Sequence, residues 1–288
     1  MADTRRVSDF SLAWGESVRW DDRRQRLYFV DCAAHALLWL DHAQPPLQTL
    51  QLPSMPTGVV LADDGRLVVA LDGGLHVVDV DTGRVELLAP YPEGLGQRAN
   101  DAAADLDGNL VTGTLNLAPG PGSYWWYSSA DGWRQLADGI GNANGPAVID
   151  CDGQSTLVFA DTLASVLYAY DYDGPRGRAG ERRVFADTSQ LRGQPDGASA
   201  DAGGGIWSCL LGAGKIVRYT TAGATEVLDS TVELPSDVTF GGPDLDRMFF
   251  VSIAVAIGDV QIVSPDAGAL MVIDDSGYRG RPEPRVHL

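Results

Sequence analysis

RLYFVD, at residues 26–31, is a six-residue run in which aromatic, β-branched and other apolar side chains lie between an arginine and an aspartate. The pattern returns as RLVVAL (66–71), NLVTGT (109–114), TLVFAD (156–161), GIWSCL (205–210) and RMFFVS (247–252), with starts 40, 43, 47, 49 and 42 residues apart. An acidic, glycine-bearing turn precedes most copies: ADDG (62–65), DLDG (105–108), DCDG (150–153) and DAGGG (201–205). Asp and Gly accept the positive φ that tight hairpins require. A second strand follows each copy, from HALLWLD (35–41) to GALMVIDD (268–275), and a third follows most, as in RVELLAP (84–90). With the segment before the acidic turn, each unit holds about four strands, and a period of roughly 40–50 residues is that of a propeller blade. No window carries the apolar spacing of a long helix. The chain is therefore expected to be all-β: a single six-bladed β-propeller over residues 1–288, with four-stranded antiparallel blades around a central channel. Ring closure falls either to the segment near residues 4–10 or to PRVHL (284–288).

The charge balance is 21 Lys+Arg against 39 Asp+Glu, a formal net charge of −18 over 288 residues. Nucleic acid and anionic membrane surfaces are gripped by clustered basic charge, so neither is an expected partner. The longest mostly apolar stretch is MFFVSIAVAIG (248–258), short of the roughly 20 residues a membrane helix needs. ADTRRVSDF near the start has no apolar signal core, and a soluble, cytoplasmic protein is expected. Cys32, Cys151 and Cys209 are far apart and lack C-x-x-C spacing, which reads as reduced core thiols, with no disulfide framework or thiolate metal site. The aromatic run YWWY (124–127) reads as alternating core packing on a strand.

In a propeller the innermost strand of each blade runs beside the channel, and here that is the segment before each acidic turn. Glu16, Asn100, Asn144, Asp196 and Asp237 recur near the start of these segments, so residues far apart in sequence are expected to meet at one channel mouth, with the basic Arg98 beside them. A ring of Glu, Asn and Asp oxygens suits a hard divalent cation. His35, His42, His76 and His287 fall on outer-strand, loop or terminal positions, which argues against a Ser/His/Asp triad or a histidine zinc site. Taken singly, each N-G or D-G dipeptide is a turn former; the common register across blades is what singles these residues out.

Six elements in order carry a resemblance: GES-x-x-W (15–20) with RLYFVD, R-x-ND (98–101) followed by DLDGNLVTGT, NGP (144–146) with LVFADT, YAYDYD (168–173), PDG (195–197) with DAGGGIW, and FGGPDL (240–245) with MFFVS. On these the chain resembles the gluconolactonase/regucalcin (senescence marker protein) family of sugar lactonases, from about Gly15 to the C-terminal GYRGRPEPRV. The resemblance implies one divalent metal cation in the channel (Ca, Zn, Mn, Mg or Fe), with Glu16, Asn144 and Asp196 as its ligands. It implies further that Arg98 and Asn100 hold the substrate and that Asp196 is the catalytic base. Two departures stand out. Val18 and Arg19 replace the family's Pro and apolar residue, placing an Arg near the channel mouth, and Trp14 replaces a typical Leu.

The expected activity is hydrolysis of a small-molecule sugar lactone to its aldonic acid, in a polar, hydrogen-bonding channel, by a monomer or small homo-oligomer. Two alternatives stay open: a metal-dependent phosphotriesterase-like hydrolase, and a non-catalytic propeller that binds calcium or a partner.

Overall fold

A computed structural model describes residues 4–7, 9–95, 98–114, 122–151 and 153–288, with the Cys151 side chain outside the description. The repeated runs become strands that are covered on both faces, which is why they are continuously apolar rather than alternating. Leu27, Tyr28, Phe29 and Val30 are all fully buried. Six antiparallel sheets each sandwich between two neighbours, and six apolar clusters fill the wedges between consecutive blades. The YWWY run shows the geometry directly: Tyr124 and Trp126 face one wedge, Trp125 and Tyr127 the other. Outermost strands, such as Arg84–Pro90 and Gly223–Asp229, are mostly exposed, Leu87 and Val227 included.

The architecture is a six-bladed β-propeller. Its innermost strands are Gly15–Asp21, Gly58–Leu61, Ala99–Ala104, Ala143–Cys151, Gln194–Ala200 and Pro235–Gly241. The fourth blade carries an extra short strand, Arg178–Ala179, within RGRAGERR (176–183). Among the described residues the helices are two single 3₁₀ turns, and none is long and apolar enough to cross a membrane.

Closure is achieved by the N-terminal segment: Thr4–Arg6 pairs with Met271–Ile273 as the outer strand of the last blade. PRVHL instead crosses the mouth opposite the candidate site, touching the second blade through one parallel bridge, Ala62 with Val286. The acidic turns owe their composition to side-chain capping. Asp105 accepts the amides of Asp107 and Asn109, and Asp201 those of Gly203 and Gly205.

One irregularity positions the site. Five of the six innermost strands break register near their starts, between Glu16 and Arg19, Ala99 and Ala102, Asn144 and Ala147, Pro195 and Ala198, and Pro235 and Asp237. Each such bulge re-aims side chains and frees backbone amides from the ladder. The exception is Gly58–Leu61, which pairs in register throughout.

Candidate active site

The bulges bring Glu16, Asn100, Asn144 and Asp196 to one pocket of about 460 Å³, with Arg98 at its side. Glu16 is held by Trp14, whose indole N–H donates to Oε1 at 3.0 Å. Asn144 is clamped from both sides. Its amide nitrogen donates to Thr162 Oγ1 at 2.8 Å, and its oxygen accepts from the Asn100 amide. Thr162 in turn donates to Pro195 O, beside Asp196, so one hydroxyl ties two candidate ligand strands together. Asn100 also donates to Ala143 O at 2.8 Å. Both its amide protons are thereby spent, and only its carbonyl oxygen remains for a ligand. The Arg98 guanidinium lies 3.4 Å from the Asp72 carboxylate and touches the Met55 sulfur, which anchors it at the rim.

Asp237 does not join this pocket. It is fully buried below, where its carboxylate accepts the Val18 and Val238 amides and pairs with Arg19 at 2.6 Å. Arg19 is likewise neither at the mouth nor outward-facing. It lies in the channel, bridging Asp237 to Asp101 at 3.2 Å and donating to Val18 O and Ala102 O. Asp101 also accepts the Gly145 amide. The Asp101–Arg19–Asp237 bridge is thus fastened to backbone beside Glu16 and Asn144, and Gly197, next to Asp196, packs on the Asp237 carboxylate. The geometric reason for Asp237's retreat is its bulge, which lies one step off that of the others: the break falls between Pro235 and Asp237, against a three-residue step elsewhere.

Electrostatics follow from four buried carboxyls, of which only Asp101 and Asp237 face a guanidinium, that of Arg19. Burial, then the neighbouring Asp196, Asp237 and Asp101, pushes Glu16 well above the usual carboxylate range. Asp196 is pushed up well above that range by burial and by Asp101 and Asp237. Burial raises Asp101 against the pull of Arg19, and raises Asp237 to about 7. Burial alone would lower the Arg19 guanidinium, but Asp237 and Asp101 outweigh it and hold it charged. Cys32 and Cys209 are buried and their thiols pushed up by burial, in keeping with reduced core cysteines.

Among the described residues no three His, Cys, Asp or Glu side chains gather as a metal cluster. The candidate set is two carboxylates and an amide, an all-oxygen donor set suited to a hard cation. The Asp196 carboxylate accepts no hydrogen bond from a described residue, and its electrostatic neighbours are acids. A divalent cation fits the charge that this arrangement leaves uncompensated.

The pocket is less polar than the sequence suggests. Trp14, Met55, Leu163, Leu211, Ile253 and Ile257 line it alongside the polar residues. Sequence reasoning missed Thr162, whose signal is the Thr that follows the strand in LVFADT, and missed Trp14 as the brace on Glu16. It also missed Asn142, a residue of the pocket whose buried side-chain oxygen has no partner among the described residues.

The family model described as SMP-30/Gluconolactonase/LRE-like region matches residues 14–254. The pentonolactonase of Haloferax volcanii is 31% identical over 288 residues, 96% of this chain and 96% of that protein. The 6-deoxy-6-sulfogluconolactonase of Pseudomonas putida is 33% identical over 247 residues, 83% of this chain and 82% of that protein. Among solved structures, the calcium-binding protein regucalcin of Agrobacterium tumefaciens superposes with a TM-score of 0.90 at 26% identity, covering 100% of this chain and 98% of that one.

Proposed function

The chain belongs to the SMP-30/gluconolactonase/LRE-like family, and from that premise we propose that it hydrolyses a sugar lactone to the open aldonic acid, using a divalent cation held by Glu16, Asn144 and Asp196. One observation carries the reading: two buried carboxylates and a clamped amide oxygen face one pocket with no basic group beside Asp196. Support comes also from the relatives of about a third identity, which are named for lactone hydrolysis.

Water adds to the lactone carbonyl carbon, the ring C–O bond breaks, and the ring oxygen leaves as a hydroxyl. When bound, the cation supplies Lewis acidity to an ester carbonyl in the pocket. Asp196 takes the proton from the attacking water and returns it to the departing ring oxygen. Asn100, with its amide protons spent, accepts a hydrogen bond from a substrate hydroxyl, and Arg98 donates one from the rim. Trp14 and Thr162 fix Glu16 and Asn144 so that little reorganisation is needed on binding. The setting we propose is cytoplasmic, and the acidity of the chain, at −18, supports a small-molecule partner over nucleic acid or an anionic membrane.

The apolar walls favour one competing reading, hydrolysis of a neutral phosphotriester. Chelator-stripped protein titrated calorimetrically with Ca²⁺, Mn²⁺, Zn²⁺ and Mg²⁺, then assayed by acid release from a panel of aldonolactones and a paraoxon-like ester, decides between them. One cation per chain and lactone hydrolysis only in loaded protein are expected. Failure to bind any cation removes the metal, and faster turnover of the phosphotriester than of every lactone replaces the lactonase reading. A cation without any turnover leaves a binding propeller.

A further inference from the structure

Resting on the lactonase reading, we propose that the substrate is a deoxy-sugar lactone, hydroxylated on one edge of its ring and carrying a methyl group in place of a hydroxymethyl on the other. The pocket is two-sided. The third and fourth blades present Arg98, Asn100, Asn142 and Thr162, with Leu163 the apolar exception, whereas Trp14, Leu211, Ile253 and Ile257, from the first, fifth and sixth blades, make the facing wall. That wall is built. Leu211, Leu234 and Ile253 form a buried apolar cluster, with Trp14, Ile257, Val260 and Ile262 packed on it.

Half of that lining comes from an excursion of the sixth blade. Between the strands Arg247–Ser252 and Met271–Ile273 the chain runs out through residues 253–270, whereas in the preceding blade the same connection is only residues 212–214. The long excursion delivers Ile253 and Ile257 to the pocket. The polar atom that Trp14 could offer is already committed to Glu16. Apart from Gln194 at the rim and the carboxylates Glu16 and Asp196 at the proposed cation, the side chains on this side therefore give a hydroxyl nothing to bond.

With the lactone carbonyl at Glu16, Asn144 and Asp196, ring hydroxyls can turn toward the asparagines and Thr162. A hydroxymethyl turned the other way would lose its water against the isoleucines without replacement, whereas a methyl fills that wall. A single such group in an apolar pocket changes discrimination by roughly 10–200-fold.

The test uses metal-loaded protein and two matched pairs, L-mannono-1,5-lactone with its 6-deoxy form and D-galactono-1,5-lactone with its 6-deoxy form. Two pairs keep ring stereochemistry from deciding the result. We expect the deoxy member of at least one pair to have a kcat/KM higher by ~10-fold or more, carried mainly by KM. Ile257→Asn and Leu211→Asn, checked for unchanged cation stoichiometry, should erase or reverse the preference. Equal or better turnover of the hydroxylated members overturns the proposal while the lactonase reading stands, and so does a preference that survives both substitutions undiminished. Hydrolysis of none of the four overturns both.

Discussion

Glu16 and Asp196 are both acids buried in the same pocket, yet they are fastened differently, and the difference assigns them separate kinetic signatures. Glu16 is braced by the Trp14 indole, whereas no described residue donates to Asp196. Asp196→Asn keeps the shape but removes the basic carboxylate, so kcat should fall by about 10²–10⁴-fold while weakened cation binding persists in calorimetry. Glu16→Gln should act mainly on affinity, with excess cation restoring part of the activity in a metal titration. A pH effect belongs to the same residues. Burial raises Glu16, Asp101, Asp196 and Asp237 in the folded chain, Asp237 to about 7. Groups raised on folding stabilise at low pH and lose that contribution as pH climbs through their folded values. Chelator-treated protein should therefore lose melting temperature as pH rises from about 5 to 8, starting from the ordinary carboxylate range near 4. Asp21 and Asp201, held low by Arg285 and Arg218 against the cost of burial, change stability only below that window. Added cation should lift the melting point most at the upper end, because its ligands bind deprotonated. A flat or rising profile without cation, read by scanning calorimetry, would contradict this.

Bulges turn those residues into a site, and they are the part of the design that the sequence conceals. The blade repeat, the turn acids and the convergence of Glu16, Asn144 and Asp196 on one pocket were legible because register repeats every 40–50 residues. A bulge adds one unpaired residue with no compositional mark of its own, so the inward turn of Arg19 and the descent of Asp237 were not. The apolar wall was hidden for a similar reason: IAVAIG (253–258) prolongs the apolar run without a break in composition, yet the strand ends at Ser252 and the chain departs toward the pocket. Gly197 makes the element testable. A Cβ added there meets the Asp237 carboxylate, with Cγ at 2.5 Å, and the backbone itself is unstrained. Gly197→Ala must therefore displace Asp237 from Arg19 or from the Val18 amide. Overpacking of this kind costs about 1–3 kcal/mol, and cation affinity should fall together with the melting temperature. Unchanged affinity would show that the Asp101–Arg19–Asp237 bridge does not position the proposed ligands.

At the scale of the ring, the two mouths of the channel do different work. One holds the pocket. Across the other runs the C-terminal segment, bonded to every blade: Arg285 to Asp21 and Asp22, Val286 to Leu61, His287 to Gly108, Arg281 to Val148, Ala202 to Arg279, and Thr239 to Glu283. Such a strap resists the splaying of blades that a ring joined by one outer strand would allow. It also covers the buried ions, because Arg281, Pro282, Glu283 and Pro284 line a small cavity with Arg19. Removing residues 279–288 should therefore have two effects. Several buried hydrogen bonds are lost at roughly 1 kcal/mol or more each, so the melting temperature should drop by about 10 °C or more at the usual few degrees per kcal/mol. Water reaching Arg19, Asp101 and Asp237 relieves their desolvation, so the loss of stability between about pH 5 and 8 should flatten. The pocket lies at the far mouth, and the truncated chain should still bind one cation, which separates a loosened ring from an unfolded one. Should the truncation not fold, Arg285→Ala tests the same contact alone, since it leaves the buried Asp21 without its cation. A melting temperature and pH profile like those of the intact chain in both variants would mean that the outer strand Thr4–Arg6 holds the ring by itself.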